Sequence, residues 1–162
     1  MNRERAVFLG LQIVLGPLVL GSYAYGAANW PDAVAAMWGG VPDAMRGVYT
    51  AWMFVAAAGY LVFTPALFLH AASAPRLPAL YAAVLAGSVL WMPLTKLHLD
   101  GVVPFALVVL DLWLVAAGSL ALLATTLRAR LPGGWRFAAP LGAAAFCLQT
   151  VLLDAIVWPL LW

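Results

Sequence analysis

The sequence predicts an all-α integral membrane protein, an antiparallel bundle of five transmembrane helices. Of its 162 residues, 66% are hydrophobic and only 9% are charged, whereas soluble domains carry roughly 25% charged residues. The mean hydropathy is +1.00, so a water-soluble fold of this length would expose a large apolar surface. The apolar residues also fall into five long runs, and a lipid bilayer is therefore the expected environment.

Each run holds about 18–25 residues, which at 1.5 Å per helical residue crosses roughly 30 Å of hydrocarbon. The runs are continuously apolar and do not alternate, so a transmembrane β-barrel is not expected. Short connections between the later runs make them antiparallel neighbours in one domain, residues 1–162. The predicted spans are residues 6–25, 47–69, 78–95, 102–126 and 137–161.

The first run follows Arg3 and Arg5, as the apolar part of a signal peptide would. We interpret it as a span because it is long for a signal peptide and four further runs follow. The connection after it, residues 26–46, is a long loop that carries Trp30 and Trp38.

Glycines inside the spans are expected to allow close approach between helices, because they have no side chain to hold the backbones apart. The glycines concerned are Gly10, Gly16, Gly21, Gly59 and Gly118.

Helical spacing places aromatic and polar residues on one face of the second, third and fifth spans. Such faces predict an internal cavity with aromatic walls and polar groups near its mouth. The three faces are Tyr49, Trp52, Ala56, Tyr60 and Phe63; Ser88, Trp91, Thr95 and His98; and Cys147, Thr150, Asp154 and Trp158.

The distribution of basic residues predicts the orientation in the membrane, because cytoplasmic loops are enriched in Lys and Arg. Only Arg46 and Lys96 lie on the side of the first loop. We therefore expect a bacterial inner-membrane protein with a cytoplasmic amino terminus. The basic residues on the amino-terminal side are Arg3, Arg5, Arg76, Arg128, Arg130 and Arg136.

Two acids, Asp111 and Asp154, lie inside predicted spans, where an ionisable group is a functional hypothesis by default. Both fall in the half of the bundle nearer the first loop, as do Lys96, His98 and Asp100. The sequence leaves other readings open. Asp111 could pair with Lys96 as a structural bridge, and Asp154 could form a hydrogen bond to a neighbouring helix. Lys96 and His98 could simply place their polar ends at the membrane interface, with no role in a site.

Several functional classes receive no support from the sequence. The net charge of +2 is small and dispersed, which gives no reason to expect nucleic acid as a partner. The two histidines, His70 and His98, lie on opposite sides of the membrane, so no metal site is predicted. No catalytic set of nucleophile, histidine and acid is identifiable, and no phosphate-binding loop is present.

Residues 80–117 carry a family resemblance. The stretches Tyr81–Leu85 and Leu90–Leu94, followed by the "ALVVLDLWLVAA" of Ala106–Ala117, resemble the third and fourth helices of the tryptophan-rich sensory protein, or translocator protein, family (TspO/MBR). Residues in comparable places elsewhere are Trp30, Pro31, Trp38, Pro42, Trp52 and Gly59. The chain resembles a distant member, because Gly87 or Ser88 stands near the family's third-helix Asn, and Gln149 and Asp154 stand in its fifth helix.

The resemblance implies a membrane sensor or transporter, often a homodimer, with a cavity that opens toward the first loop. Such a cavity would bind a porphyrin, haem or another flat apolar small molecule, and no resident cofactor is required. Trp30 and Trp38 would be lid residues. The implied wall and polar residues are Trp52, Trp91, Trp113, Ser88, Thr95, His98, Asp111 and Asp154.

Two other functions remain open at the level of sequence. The first is a membrane enzyme, an isomerase or cyclase, that uses Asp111, Asp154 and His98 as acid–base groups on a lipid-like substrate. The second is an accessory structural subunit of a membrane complex, in which the acids join helices to one another.

Overall fold

The computed structural model describes residues 3–71 and 76–162, and no β-strand occurs within these two ranges. Five of the helices are long and apolar enough to cross a membrane. The predicted all-α bundle of five spans is therefore confirmed. In chain order the helices are α1 (Arg3–Asn29), α2 (Pro31–Ala36), α3 (Asp43–His70), α4 (Leu77–Leu99), α5 (Phe105–Arg128) and α6 (Trp135–Leu161).

The connection after the first span is shorter and more ordered than the predicted loop of residues 26–46. Helix α1 continues to Asn29, because alanine, the strongest helix former, occupies much of its last turn. Pro31 then begins α2, since its fixed φ suits the first turn of a helix and its missing N–H needs no partner there.

The five long helices form a closed ring. Helix α1 packs on α4, α4 on α5, α5 on α6, and α6 on α3. Side chains of α1 and α3 complete the ring, because the Phe8 and Phe68 rings stack with centroids 5.5 Å apart. The Tyr60 hydroxyl also donates to Gln12 Oε1 at 2.5 Å. All five helices therefore share one interior.

The interior has two apolar clusters, one toward each end of the bundle. We call the end that carries residues 30–42, the 100–104 turn and Trp162 the first-loop end. The cluster there includes Val41, Tyr49, Val108, Leu112, Ala116, Ala155 and Trp158. The cluster at the opposite end includes Phe8, Phe63, Leu67, Leu77, Tyr81, Val84, Leu85 and Leu122.

Helices α3 and α6 approach through a pair of glycines. A Cβ on Gly59 would lie 2.4 Å from the Gly142 carbonyl oxygen, and a Cβ on Gly142 would lie 2.7 Å from that of Gly59. The prediction for Gly59 is confirmed. So is that for Gly118, where a Cβ would lie 2.6 Å from Val84 Cγ2 of α4.

The same prediction was wrong for the three glycines of α1. Nothing lies within 4 Å of a Cβ on Gly10, Gly16 or Gly21. Helix α1 is the most peripheral span, because only 6% of its apolar 18-residue stretch is buried inside the bundle. These glycines therefore do not mediate helix packing within the chain.

Candidate functional site

A group of polar side chains lies inside the bundle, between its middle and the first-loop end. We call Tyr23, Tyr49, Asp111, Gln149 and Asp154 the polar centre. The five residues come from α1, α3, α5 and α6, and the backbone of α4 forms another side through Gly87, as described below. Every membrane-spanning helix therefore contributes to this one region.

Asp111 lies about 9 Å along α5 from Phe105, and its residue exposure is 8%. A Cβ placed on Gly87 would come within 3.1 Å of Asp111 Oδ1. The carboxyl group therefore fits against the backbone of α4 because residue 87 has no side chain. Its second oxygen, Oδ2, is buried and has no hydrogen-bond partner.

Gln149 and Asp154 are brought together by an unusual stretch of α6. Residues Leu148–Val157 form a π-helix between two α-helical segments, and π-helical turns occur frequently at functional sites. The Gln149 Nε2 donates to Asp154 Oδ1 at 2.7 Å. Residues five apart lie on different faces of an α-helix, but in a π-helix they lie about one turn apart and on nearly the same face. Gln149 Oε1 is buried without a partner.

Two tyrosines complete the polar centre from the other side of the ring. The Tyr23 hydroxyl of α1 lies within Coulombic range of both Asp111 and Asp154. Tyr49 of α3 lies within Coulombic range of Asp154, and its hydroxyl donates to the Leu153 carbonyl at 3.3 Å. Tyr23 therefore lies near both carboxyl groups, which come from α5 and α6.

Aromatic rings occupy the region next to the polar centre. Trp91 stacks on Tyr23 with ring centroids 5.6 Å apart and planes 20° apart. On α6, Trp158 approaches Trp91 with centroids 6.1 Å apart. In this conformation Trp91 therefore lies between two other rings, and a guest molecule must displace rings to enter.

The first loop is fastened to the end of α6, and this contact closes the first-loop end. Trp158 Nε1 donates to the Met37 carbonyl at 2.9 Å, and Gly40 N donates to the Leu161 carbonyl at 2.8 Å. Trp38 packs edge-on against Tyr49 with centroids 6.3 Å apart. We call this set of contacts the loop clasp.

Replacing Gly40 with alanine is expected to open the loop clasp. The new Cβ would lie 2.1 Å from the Leu161 carbonyl oxygen, so the loop must move and the hydrogen bond is lost. A cost of about 2 kcal/mol in unfolding free energy is expected, measured as a lower melting temperature and faster proteolysis in the first loop. Gly47→Ala is the control, because nothing lies within 4 Å there. Equal behaviour of the two variants would contradict the clasp.

Several residues predicted for the site lie at or near this region. Trp91 borders the polar centre, Trp38 belongs to the loop clasp, and Trp30 lies at the first-loop end in contact with Tyr25. Trp52 of α3 is partly buried, and its Nε1 is buried without a hydrogen-bond partner.

Two hydroxyl groups predicted for the site are bonded within their own helix. Ser88 donates to the Val84 carbonyl and Thr95 to the Trp91 carbonyl, both at 2.8 Å. Neither hydroxyl proton is therefore directed to a guest in this conformation.

Trp113 does not line the interior, which corrects its predicted place in the cavity wall. It is 61% exposed and borders a shallow outward-facing groove with Phe105 and Leu110. Its Nε1 donates to the Ala155 carbonyl at 3.1 Å. The indole therefore covers the junction between α5 and α6 from outside the bundle.

The alternative in which Lys96 pairs with Asp111, which the sequence left open, is not realised. Lys96 pairs with Asp100, one turn further along α4. His98 lies nearby at the first-loop end, where Nδ1 is 3.1 Å from the Val103 carbonyl oxygen and its ring packs on Phe105 and Trp162. Lys96 and His98 therefore belong to the rim of the bundle.

Two members of the polar centre, Tyr23 and Gln149, were not predicted from the sequence to face the interior. Tyr49 was placed on the interior aromatic face of the second span but was not named among the ligand-binding residues. The sequence signal for Gln149 was its position five residues before Asp154. This spacing indicates a contact between the two side chains only if the helix is a π-helix at that point. Tyr23 lies near the first-loop end of its span, as interfacial tyrosines commonly do, and this gave no reason to place it inside.

No match to this chain is found among known protein families, characterised proteins or solved structures.

Proposed function

We propose that this chain is a membrane ligand-binding protein, a sensor or transporter of the tryptophan-rich type, that holds a flat apolar molecule such as a porphyrin. The observation that carries the proposal is the polar centre. Carboxyl groups in a membrane interior are costly and are kept mainly where they serve a site or a pathway. Here two of them lie near tyrosines and a glutamine, and the five side chains come from four different helices.

The surrounding rings support a flat ligand. Trp91, Tyr23 and Trp158 offer large apolar faces that lose little conformational entropy on binding. A guest would stack against Trp91 after displacing one of the neighbouring rings. Trp158 is itself held in the loop clasp by its hydrogen bond to the Met37 carbonyl, so entry from the first-loop end requires the clasp to open.

The distribution of charge supports the orientation proposed from the sequence. The Arg5 guanidinium donates to the Leu69 carbonyl at 3.2 Å, so the start of α1 lies beside the end of α3. The arginines near this end would face the cytoplasm of a bacterial cell. The first loop and the entrance to the polar centre would then face the periplasm. A homodimer is part of the proposal, and its test is the mass of the protein in detergent.

Titration of the detergent-purified protein with protoporphyrin is expected to quench tryptophan fluorescence saturably. Replacing Trp91 with phenylalanine removes an indole from the site and should weaken binding about five-fold, equivalent to roughly 1 kcal/mol of stacking. Trp113→Phe is the matched control, because that indole lies outside the bundle.

Two results would count against the proposal. One is the absence of quenching by any tetrapyrrole together with an unchanged melting temperature. The other is an equal loss of affinity in the Trp91 and Trp113 variants, which would indicate adsorption at the detergent-covered surface.

A further inference from the structure

A groove lies outside the bundle interior, at the rim of the first-loop end. It has a volume of about 500 Å³ and lies between α2 and the end of α4. We call it the rim groove. Its polar lining consists of Asn29, Asp32, Lys96 and Asp100, and Trp30 contributes an indole. The rest of its lining is apolar, namely Pro31, Ala33, Ala36 and Leu99.

The position of the rim groove is that of phospholipid headgroups. Helix α1 ends at Asn29 and α4 ends at Leu99, and both helices are long and apolar enough to span a membrane. The ends of spans lie at the boundary between hydrocarbon and water, where tryptophan is enriched. The apolar surface of α1 leads to the groove and is almost entirely uncovered by protein. Acyl chains can therefore lie along this helix while their headgroup occupies the groove.

The charges of the rim groove leave one carboxylate without an ionic partner. Lys96 Nζ donates to both carboxylate oxygens of Asp100, so these two charges balance each other. Neither ion pair of the described residues involves Asp32. Asn29 Nδ2 donates to the Tyr25 carbonyl at 2.9 Å, which leaves the Asn29 side-chain carbonyl as an acceptor. One side of the groove therefore offers negative charge and acceptors.

These groups complement the two charges of a zwitterionic headgroup. An ammonium group fits beside Asp32 and Trp30, because carboxylates and aromatic faces both attract cations. A phosphate group fits beside Lys96, whose ammonium has three N–H donors and can bind a further acceptor besides Asp100. A headgroup with negative charge alone would be repelled by the unpaired carboxylate.

We propose that the rim groove binds the headgroup of phosphatidylethanolamine, a phospholipid with a primary ammonium group. The ammonium donates to the Asp32 carboxylate and the Asn29 side-chain carbonyl, and the phosphate accepts from Lys96. Phosphatidylcholine carries the same two charges, but its quaternary ammonium has no N–H group and cannot form these hydrogen bonds. The inference is independent of the ligand proposed for the bundle interior.

Native mass spectrometry of the detergent-purified protein tests the inference with three lipids that share the same dioleoyl chains. Phosphatidylethanolamine should bind about five-fold more tightly than phosphatidylcholine or phosphatidylglycerol, as expected for one partly exposed charged contact. In Asp32→Asn this preference should fall below about two-fold. Asp43→Asn is the matched control, because it removes a carboxylate at the start of α3, outside the groove.

Three results would overturn the inference. The first is equal binding of phosphatidylethanolamine and phosphatidylcholine by the unmodified protein. The second is an equal loss of preference in the Asp32 and Asp43 variants, and the third is tighter binding of phosphatidylglycerol. Soluble glycerophosphoethanolamine provides a further arm. If it binds as tightly as the lipid, the groove recognises a free headgroup compound and the lipid assignment fails.

The same variants separate the rim groove from the polar centre. Protoporphyrin should quench the fluorescence of Asp32→Asn and of the unmodified protein with equal affinity, because Asp32 lies outside the bundle interior. A failed lipid test with intact protoporphyrin quenching would overturn the lipid site and leave the ligand-binding function in place.

Discussion

Replacing Gly59 with alanine is expected to lower the melting temperature of the purified bundle by several degrees. The added methyl group would lie 2.4 Å from the Gly142 carbonyl oxygen and 3.1 Å from its carbonyl carbon. These are backbone atoms of α6 and cannot rotate away, so α3 and α6 must separate. Overpacking of this kind costs roughly 3 kcal/mol, near the upper end of the usual range.

The control for Gly59→Ala is Gly21→Ala, which adds the same methyl group to another membrane-spanning helix. Nothing lies within 4 Å of that position, so the melting temperature should stay constant or rise slightly, since alanine favours the helix. Thermal unfolding followed by circular dichroism in one detergent gives the comparison. Similar melting temperatures for the two variants would show that α3 and α6 do not touch through Gly59.

Replacing Asp111 with asparagine is expected to raise the melting temperature of the purified protein. The change preserves the size of the side chain and removes an acidic group whose Oδ2 has no partner. Because the buried acidic group no longer has to be kept away from water without a partner, the unfolding free energy should increase by about 1 kcal/mol or more. Thermal unfolding followed by circular dichroism gives the comparison with the unmodified protein, and titration with protoporphyrin shows whether the variant still binds.

The direction in which Asp111→Asn shifts the melting temperature distinguishes a ligand-binding protein from an accessory structural subunit. If Asp111 joined helices as part of an accessory structural subunit, Asp111→Asn would lower the melting temperature. Asp100→Asn is the control, because the Lys96–Asp100 pair is partly exposed at the rim and surface pairs contribute about 0–1 kcal/mol. A destabilised Asp111→Asn variant with unchanged protoporphyrin binding would favour the structural alternative.

The enzyme alternative has a different signature. The polar centre and His98 do not form one group, because His98 lies at the rim with its ring against Phe105 and Trp162. An acid–base mechanism would therefore have to use Asp111 and Asp154 alone. The enzyme alternative would be favoured if the protein converts a lipid-like substrate and the Asp154→Asn variant folds but no longer does so.

The five spans and the two intramembrane acids were predictable because they depend on local properties. A run of about 20 apolar residues must satisfy its backbone polar groups as a helix in lipid. An aspartate within such a run is visible from the residue type alone. The importance of Gly59 at a helix contact followed in the same way, although its partner Gly142 did not.

The side of each helix that faces the interior could be predicted only in part. In water, apolar residues mark the buried face of a helix, but lipid tails are as apolar as the protein core. The outward Trp113 and the inward Trp91 therefore look equivalent in the sequence. The same reason explains the wrong prediction for Gly10, Gly16 and Gly21, which lie on the exposed span α1.

Composition and the length of the apolar runs alone determined that this chain is a five-span helical membrane protein with acids in one half. Only the tertiary structure decided which groups meet. The Gln149–Asp154 contact depends on the π-helical turn of α6, and the approach of Tyr23 to both acids depends on how α1 packs on the ring. The first depends on the type of helix and the second on contacts between residues far apart in the chain, and local hydrophobicity carries no information on either.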